Sequence, residues 1–347
     1  MEKKSNSLKW SLTNGLKLDN NILPEIENEE VLVKVYSCGI CGSDIKILNY
    51  GNSRISPGRI MGHEIAGEIV QIGANVDKFK IGDKISIGAD IPCKNCKSCQ
   101  TKNNKCEVDL AFGHEIDGGF TQYMFIKYSY LINGPIAKFD QVDFDLASLA
   151  EPLACCINGY EKVNFMSYES VLILGGGTIG MMLSFLANLY QIPKIYVADI
   201  SKERIMNFKN FDFITSHFDL IEENIFEWKK NNSSFDLIFT ANNNPESQKQ
   251  AIELIESRGV INFFGGLPKN QSRIKINTND IHYKEAIVTG SHGSTPRQHK
   301  EAIKIIQNNP SFFKKLISKR FPLIDYKTAF DEASNPENFK IILKPNE

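Results

Sequence analysis

The run VLILGGGTIGMMLSFLANLYQIPKIYVAD, from Val171 to Asp199, restricts the possible folds more than any other part of the chain. Its first part, Val171 to Pro193, carries no charge and is long enough to span a bilayer. Three consecutive glycines near its start argue otherwise, since each costs a helix about 1 kcal/mol relative to alanine. The run therefore reads as a short buried strand (Val171–Leu174), a glycine turn and a buried helix. Gly175, Gly177 and Gly180 match G-x-G-x-x-G, and Asp199 ends the next strand nineteen residues after Gly180. That context is what a dinucleotide-binding unit requires. Backbone N–H groups at the helix N-terminus would hold a pyrophosphate, and Asp199 would accept hydrogen bonds from ribose hydroxyls. The candidate cofactor contacts here are Gly175, Gly177, Thr178, Ile179, Gly180, Asp199, Ile200 and Arg204. The charge of Asp199 opposes a 2′-phosphate and favours NAD; the neighbouring cations Lys202 and Arg204 leave NADP open.

The pattern around this unit changes once. Up to about Ala150, short β-type runs such as EVLVKVYSCGI, GEIVQIG, DKISIGA and TQYMFI are broken by Gly, Asn, Asp and Pro. From Val171 the apolar runs VLIL, KIYVAD, FDLIFTA, GVINFFGG and AIVTGS alternate with helix-like segments such as PESQKQAIELIESR, the order of a parallel sheet covered on both faces. After Ser291 come one helix, TPRQHKEAIKIIQ, and a strand, KIILKP, that needs a partner outside the second region. At 347 residues the chain is too long for one core. The expectation is an α/β protein of two domains: a mostly-β domain from residues 1–155 and 292–347, and a doubly wound domain from 156–291.

Charge narrows the partners. Forty Lys and Arg against 41 Asp and Glu leave a net charge of −1, which removes the electrostatic case for nucleic acid or an anionic membrane. The polar opening MEKKSNSLKWSLTNG is no secretory signal, so a cytoplasmic location is expected, and the eight cysteines are better read as metal or catalytic groups than as disulfides. Cys93, Cys96, Cys99 and Cys106 fall within fourteen residues, CKNCKSCQTKNNKC, and four thiolates so spaced close a tetrahedral Zn²⁺ shell with no open position. Such a site is structural. Cys38 and Cys41 of CGICGSD could instead be a redox pair or contribute to a catalytic zinc, whose other ligands would come from His63 or His114, Glu64 or Glu115, and Glu151. Cys155 and Cys156 read as core residues.

Taken together these motifs resemble the zinc-dependent medium-chain dehydrogenases, most closely the sorbitol dehydrogenase-like polyol branch, over nearly the whole chain. The zinc signature of that family is satisfied by Gly62-His63-Glu64, Gly67, Gly73 and Val76. The second triplet, Gly113-His114-Glu115, puts Met124 where the signature needs Gly or Ala, so His114 reads as a coincidence of spelling in the loop GHEIDGGFTQY. The resemblance implies a GroES-like catalytic domain and a Rossmann domain. It implies Cys41 and His63 as zinc ligands, and Glu64 and Glu151 as carboxylates that bind the metal or hold its water. Ser43 would pass the substrate proton on, and Asp44 would orient the histidine. Gly265 of FFGG would flank the nicotinamide. Two zinc ions per chain, NAD and a homodimer or homotetramer follow from the same resemblance.

Two departures stand out. The Cys99–Cys106 gap is one residue shorter than usual, which implies a tighter or partly empty structural site. Lys46 stands where many members have the histidine that ends the proton relay. The expected reaction is hydride transfer from a secondary alcohol of a polyol, cyclitol or sugar to NAD⁺, in a cleft between the domains. A threonine or butanediol dehydrogenase is the alternative, as is a phosphorylated sugar substrate met by Lys46 or Arg297. A non-catalytic nucleotide-binding protein on this scaffold is the reading from another class.

Overall fold

The computed structural model describes residues 4–13, 15–100, 106, 110–163, 167–232 and 235–347. The chain divides into two compact units, Met1–Ala154 with Gly293–Glu347, and Cys155–His292.

The first unit is built on the strand Glu30–Gly39. Val31, Leu32, Val33, Val35 and Cys38 are all buried, because this strand has neighbours along most of its length. It pairs antiparallel with Glu64–Ile72, with Tyr123–Lys127 at its start and with Lys340–Lys344 at its end. The remaining strands of this seven-stranded sheet are Lys84–Ile87, Ile136–Lys138 and Ile317–Pro322. The expected strand KIILKP thus closes onto Cys38 and Gly39, some 300 residues earlier in the chain. A hairpin, Lys4–Ser11 with Gly15–Ile22, adds Leu8 and Trp10 to the same core.

Asp145 fastens the tail to this sheet. Its carboxylate accepts hydrogen bonds from the Ser37 hydroxyl, from Lys344 Nζ at 2.6 Å and from Arg320 Nε at 2.5 Å. Burial alone would raise its pKa; the bonds from Lys344, Ser37 and Arg320 outweigh this and hold it below the usual carboxylate range.

The second unit is a six-stranded sheet in which every pairing is parallel. Its order is Ser216–Asp219, Lys194–Asp199, Ser170–Leu174, Phe235–Thr240, Ile255–Phe263 and Ile287–Gly290. Ser170–Leu174 is buried along its whole length, and the helix Thr178–Leu189 after it is buried from Gly180 to Ala187. Among the described residues no helix is long and apolar enough to cross a membrane. The helix expected over PESQKQAIELIESR stops at Leu254, and Ile255 already belongs to the next strand. The β-branched Ile255 favours extended backbone there, and the left-handed Arg258 (φ 63°) does not fit a continued helix.

His299 lies in the helix Pro296–Asn308, whose start is closed by a capping box between Thr295 and Gln298. It is fully buried. The Ser86 hydroxyl donates to the Ala147 carbonyl at 2.8 Å, leaving its oxygen to accept from His299 Nε2 at 3.1 Å. Nδ1 is buried without a hydrogen-bond partner among the described residues. Burial pushes the pKa down to about 4, against an unfolded value of about 6.5. As pH falls, the unfolded chain takes up this proton first. The stabilisation from a neutral His299 is present at pH 7 and is lost between about pH 6.5 and 4. It amounts to about 3 kcal/mol at most. Urea midpoints measured from pH 7.5 to 4.5 should fall more steeply for the native protein than for His299→Gln; parallel curves would contradict this account.

Candidate active site and metal centres

The helix Gly42–Tyr50 starts where the Glu30–Gly39 strand ends, and its first residues form the centre of the candidate site. Asp44 has no solvent exposure. Its Oδ2 accepts the Cys41 N–H at 2.9 Å, and its Oδ1 faces His63 Nδ1 at 3.6 Å. That distance is too long for a hydrogen bond, yet neither atom has another partner among the described residues. His63 Nε2 lies 3.2 Å from the Ser43 hydroxyl. Glu151, 6% exposed, stands in the first turn of the helix Ala150–Glu161.

Glu64 is fully buried, and its Oε1 is paired with Lys340 Nζ at 2.7 Å. Lys340, itself 5% exposed, also donates to the Ile40 carbonyl at 3.1 Å. Glu64 Oε2 is buried with no partner among the described residues, and it lies 2.1 Å from where a Cβ on Gly39 would stand. Only glycine fits at position 39.

The electrostatics of this cluster call for a cation. Burial pushes the Asp44 carboxyl up, and burial with Asp44 and Glu64 pushes the Cys38 thiol well up. Burial opposes a charge on His63, but Asp44, Cys41 and Glu151 outweigh it and raise that pKa well above the ordinary value. The buried Asp44 Oδ1, His63 Nδ1 and Glu64 Oε2, without hydrogen-bond partners among the described residues and near the Cys41 thiol, have the donor chemistry that a metal cation suits. The fit to zinc is therefore one of chemistry. The donor atoms of Cys41, His63, Glu64 and Glu151 are not drawn as close together as those of the cysteine lobe, where all four ligand atoms lie within 4.8 Å of one another.

That lobe holds Cys93, Cys96, Cys99 and Cys106. The Cys93–Cys99 and Cys96–Cys106 sulfur pairs are each 3.9 Å apart. A tetrahedron of Zn–S bonds of about 2.3 Å has edges of about 3.8 Å. Backbone N–H groups of Cys93 and Cys96 point at the sulfurs of Cys106 and Cys93 (3.2 and 3.4 Å). The short gap before Cys106 does not keep the fourth sulfur out. Residues 101–105 of that gap lie outside the described residues.

The two GHE triplets run side by side. Gly118, Gly119 and Phe120 donate their N–H groups to the carbonyls of Ile60, Gly62 and Met61 at 2.8–2.9 Å. A Cβ on Gly118 would stand 2.0 Å from the Gly62 oxygen, so the glycines of GHEIDGGF are what allow the approach. Asp117 caps the Ile60 N–H at 3.1 Å, and Arg54 grips Glu115 through two bonds of 2.6 and 3.0 Å. The outcome is that the His114 ring lies 5.5 Å from the His63 ring, centroid to centroid. Burial, then the charges of His63 and Arg54, push the His114 pKa down to about 4, so its imidazole is neutral at pH 7. His114, read from the motif as a coincidence of spelling, thus lies beside the histidine of the zinc signature.

In the second unit, Gly175 adopts φ +108° at the end of Ser170–Leu174. A Cβ on Gly180 would meet the Gly175 oxygen at 1.9 Å, the close helix–strand packing expected of this loop. The N-terminal N–H groups of Thr178 and Ile179 have no side-chain cap from Gly177. Asp199, 5% exposed, takes N–H bonds from Gly176 (2.6 Å), Ile200 (2.8 Å) and Ser201 (2.9 Å), and Arg204 Nη1 stands 3.3 Å away. Gly265 is bonded to the Thr240 carbonyl at 2.7 Å, which places it at the carboxyl end of the same sheet. Strand order reverses at Ser170–Leu174, the switch point where ligands bind in open sheets.

Residues 27–136 match the family model of the alcohol dehydrogenase GroES-like domain, and residues 145–344 match that of the glucose dehydrogenase C-terminus. The chain belongs to the zinc-dependent medium-chain alcohol dehydrogenase superfamily. An L-threonine 3-dehydrogenase of Caldanaerobacter subterraneus is 28% identical over 341 residues, 93% of each chain. The sorbitol dehydrogenase of Bacillus subtilis is 26% identical over 346 residues, 96% of this chain and 95% of its own. An alcohol dehydrogenase structure from Thermotoga maritima aligns with a TM-score of 0.90 over 99% of this chain and 100% of its own; at 20% identity that likeness concerns the fold.

Lys340 is the site residue that neither the motifs nor the spacing pointed to. Replacing it with methionine strands the Glu64 carboxylate in the interior, and breaking a buried pair in this way costs about 3–5 kcal/mol. Chemical denaturation of this dehydrogenase should show that loss for Lys340→Met. Cys99→Ser should lower bound zinc by one ion per chain and reduce Tm by several degrees. An unchanged metal count would mean that the cysteine lobe holds no zinc.

Proposed function

We propose that this dehydrogenase oxidises a secondary carbinol of a polyol, cyclitol or sugar to the ketone, with NAD⁺ taking the hydride. The contact of the half-buried Ser43 with the buried His63, and of His63 with the buried Asp44, carries the reading. Cys41, His63 and one or both of Glu64 and Glu151 would hold the catalytic zinc. Zinc bound there supplies a Lewis acid that lowers the pKa of the substrate hydroxyl. Ser43, 3.2 Å from His63, would take the hydroxyl proton. Asp44, whose Oδ1 faces His63 Nδ1 at 3.6 Å, would orient the ring once the metal is bound, leaving Nε2 for the metal. Lys340 compensates the charge of Glu64 and keeps it from being wholly uncompensated in the interior.

In the cofactor unit, the N-terminus of Thr178–Leu189 would receive the pyrophosphate. Asp199 and Arg204 would meet the adenosine ribose, the carboxylate favouring NAD over NADP. Gly265 would lie beside the nicotinamide. A homodimer or homotetramer working in the cytoplasm belongs to the same proposal. The strand Ile287–Gly290 supports assembly, since it is an edge of its sheet with Ile287 40% exposed.

The L-threonine 3-dehydrogenase relative favours threonine as the second reading. A panel of polyols, inositols, sugars, sugar phosphates and threonine, followed by NADH formation, separates the two. Turnover on polyols, abolished in Cys41→Ser, is expected; turnover on threonine alone would refute the polyol reading. Asp199→Ala should raise the KM for NAD⁺ about tenfold or more, equivalent to about 1.4 kcal/mol of binding, and narrow the gap to NADP⁺. Unchanged discrimination would remove Asp199 from the ribose site.

A further inference from the structure

We infer that His114 is a specificity-determining contact for the substrate: its imidazole receives a hydroxyl on the carbon next to the reacting carbinol. The inference rests on the proposed polyol reaction and adds the residue that distinguishes a polyol from a simple alcohol. Four observations carry it. The His114 ring lies 5.5 Å from that of His63, the residue at which the proposed reaction places the metal and the reacting hydroxyl. It is only half-buried, so it is neither core filling nor fully exposed. Its Nδ1 lies 3.5 Å from the Phe112 carbonyl, the one hydrogen-bond contact of the ring among the described residues. Held by that contact as a donor, the ring keeps Nε2 as an acceptor, and an acceptor is what a neighbouring hydroxyl requires.

The fourth observation is the rigidity of the mount. Gly113 donates to the Ile116 carbonyl at 2.7 Å, and His114 itself donates to the Ala111 carbonyl at 3.3 Å. Glu115, next in the chain, is clamped both by Arg54 and by the Ala111 N–H at 3.0 Å. The following glycines are bonded to the strap that carries His63. A side chain whose only role was packing would not need its flanking residues fixed to the histidine of the zinc signature. A contact residue does, because an error of an ångström in a polar contact removes most of its worth.

The test compares the zinc-loaded native protein with His114→Ala and His114→Gln on two alcohols. One is the polyol of the panel turned over fastest; the other is 2-butanol, which has a single hydroxyl. Zinc content and calorimetric binding of the polyol in the presence of NADH are measured alongside. For His114→Ala, kcat/KM on the polyol should fall at least tenfold further than on 2-butanol, mainly through KM. Polyol binding should weaken in parallel, with two zinc ions retained. His114→Gln, which restores an acceptor, should recover part of the lost ratio. Equal losses on both alcohols, or loss of a zinc ion in His114→Ala, would overturn the inference and leave the polyol reaction standing. A native protein inactive on every polyol would overturn both.

Discussion

A buried ammonium holds the catalytic unit in register. Lys340, in one of the last strands, reaches both the Ile40 carbonyl just before Cys41 and the Glu64 carboxylate just after His63. Cys41 and His63 come from separate segments of the chain, so their relative position is not fixed by local structure. The cation joins the two segments, and Gly39 provides the space by having no side chain where Glu64 packs. Such pairs contribute little net stability compared with an apolar core of the same shape. What this one does is specify position: it ties the Ile40 and Glu64 segments to one ammonium.

The two candidate metal centres differ in how far the polypeptide prepares them. In the cysteine lobe, backbone N–H groups already face the sulfurs, and the sulfur spacing is that of a closed tetrahedron. In the catalytic cluster, the histidine ring has a carboxylate just beyond hydrogen-bond length on one side and a serine on the other. The first arrangement suits an ion that is never exchanged. The second suits one whose coordination must admit a substrate.

The legible parts of the sequence were those whose chemistry depends on residues close together in the chain. The glycine loop with Asp199, the cysteine quartet and the GHE signature all have short, regular spacings, and the fold class followed from the alternation of strands after Val171. What could not be read depends on distant residues. A lysine at the start of KIILKP looks like any surface lysine until Glu64 is placed beside it. His299 shows no pattern that foretells a partner at Ser86. The strand Ser216–Asp219 is short, with Phe218 its one apolar residue, and its identity comes from pairing with Lys194–Asp199. His114 is instructive in another way. Comparison with a motif asks whether a residue fits the pattern, and could not show that a near-copy of the pattern would lie against the original.

The discontinuity of the first unit has a consequence for biosynthesis. Cys155–His292 is one uninterrupted stretch, whereas its neighbour is completed only by Gly293–Glu347. On the ribosome the dinucleotide unit has all its residues while the strand Glu30–Gly39 still lacks its partner at Cys38 and Gly39. Domains fold as units during synthesis, and unpaired strand edges are the surfaces through which nascent chains associate wrongly. For this protein that hazard lasts until Lys340–Lys344 emerges. Glu64 and Asp145, meanwhile, are carboxylates still waiting for Lys340, Lys344 and Arg320, and water must solvate them until those partners are made. The unit whose first segment precedes Cys155 in the chain is thus the one that finishes folding last.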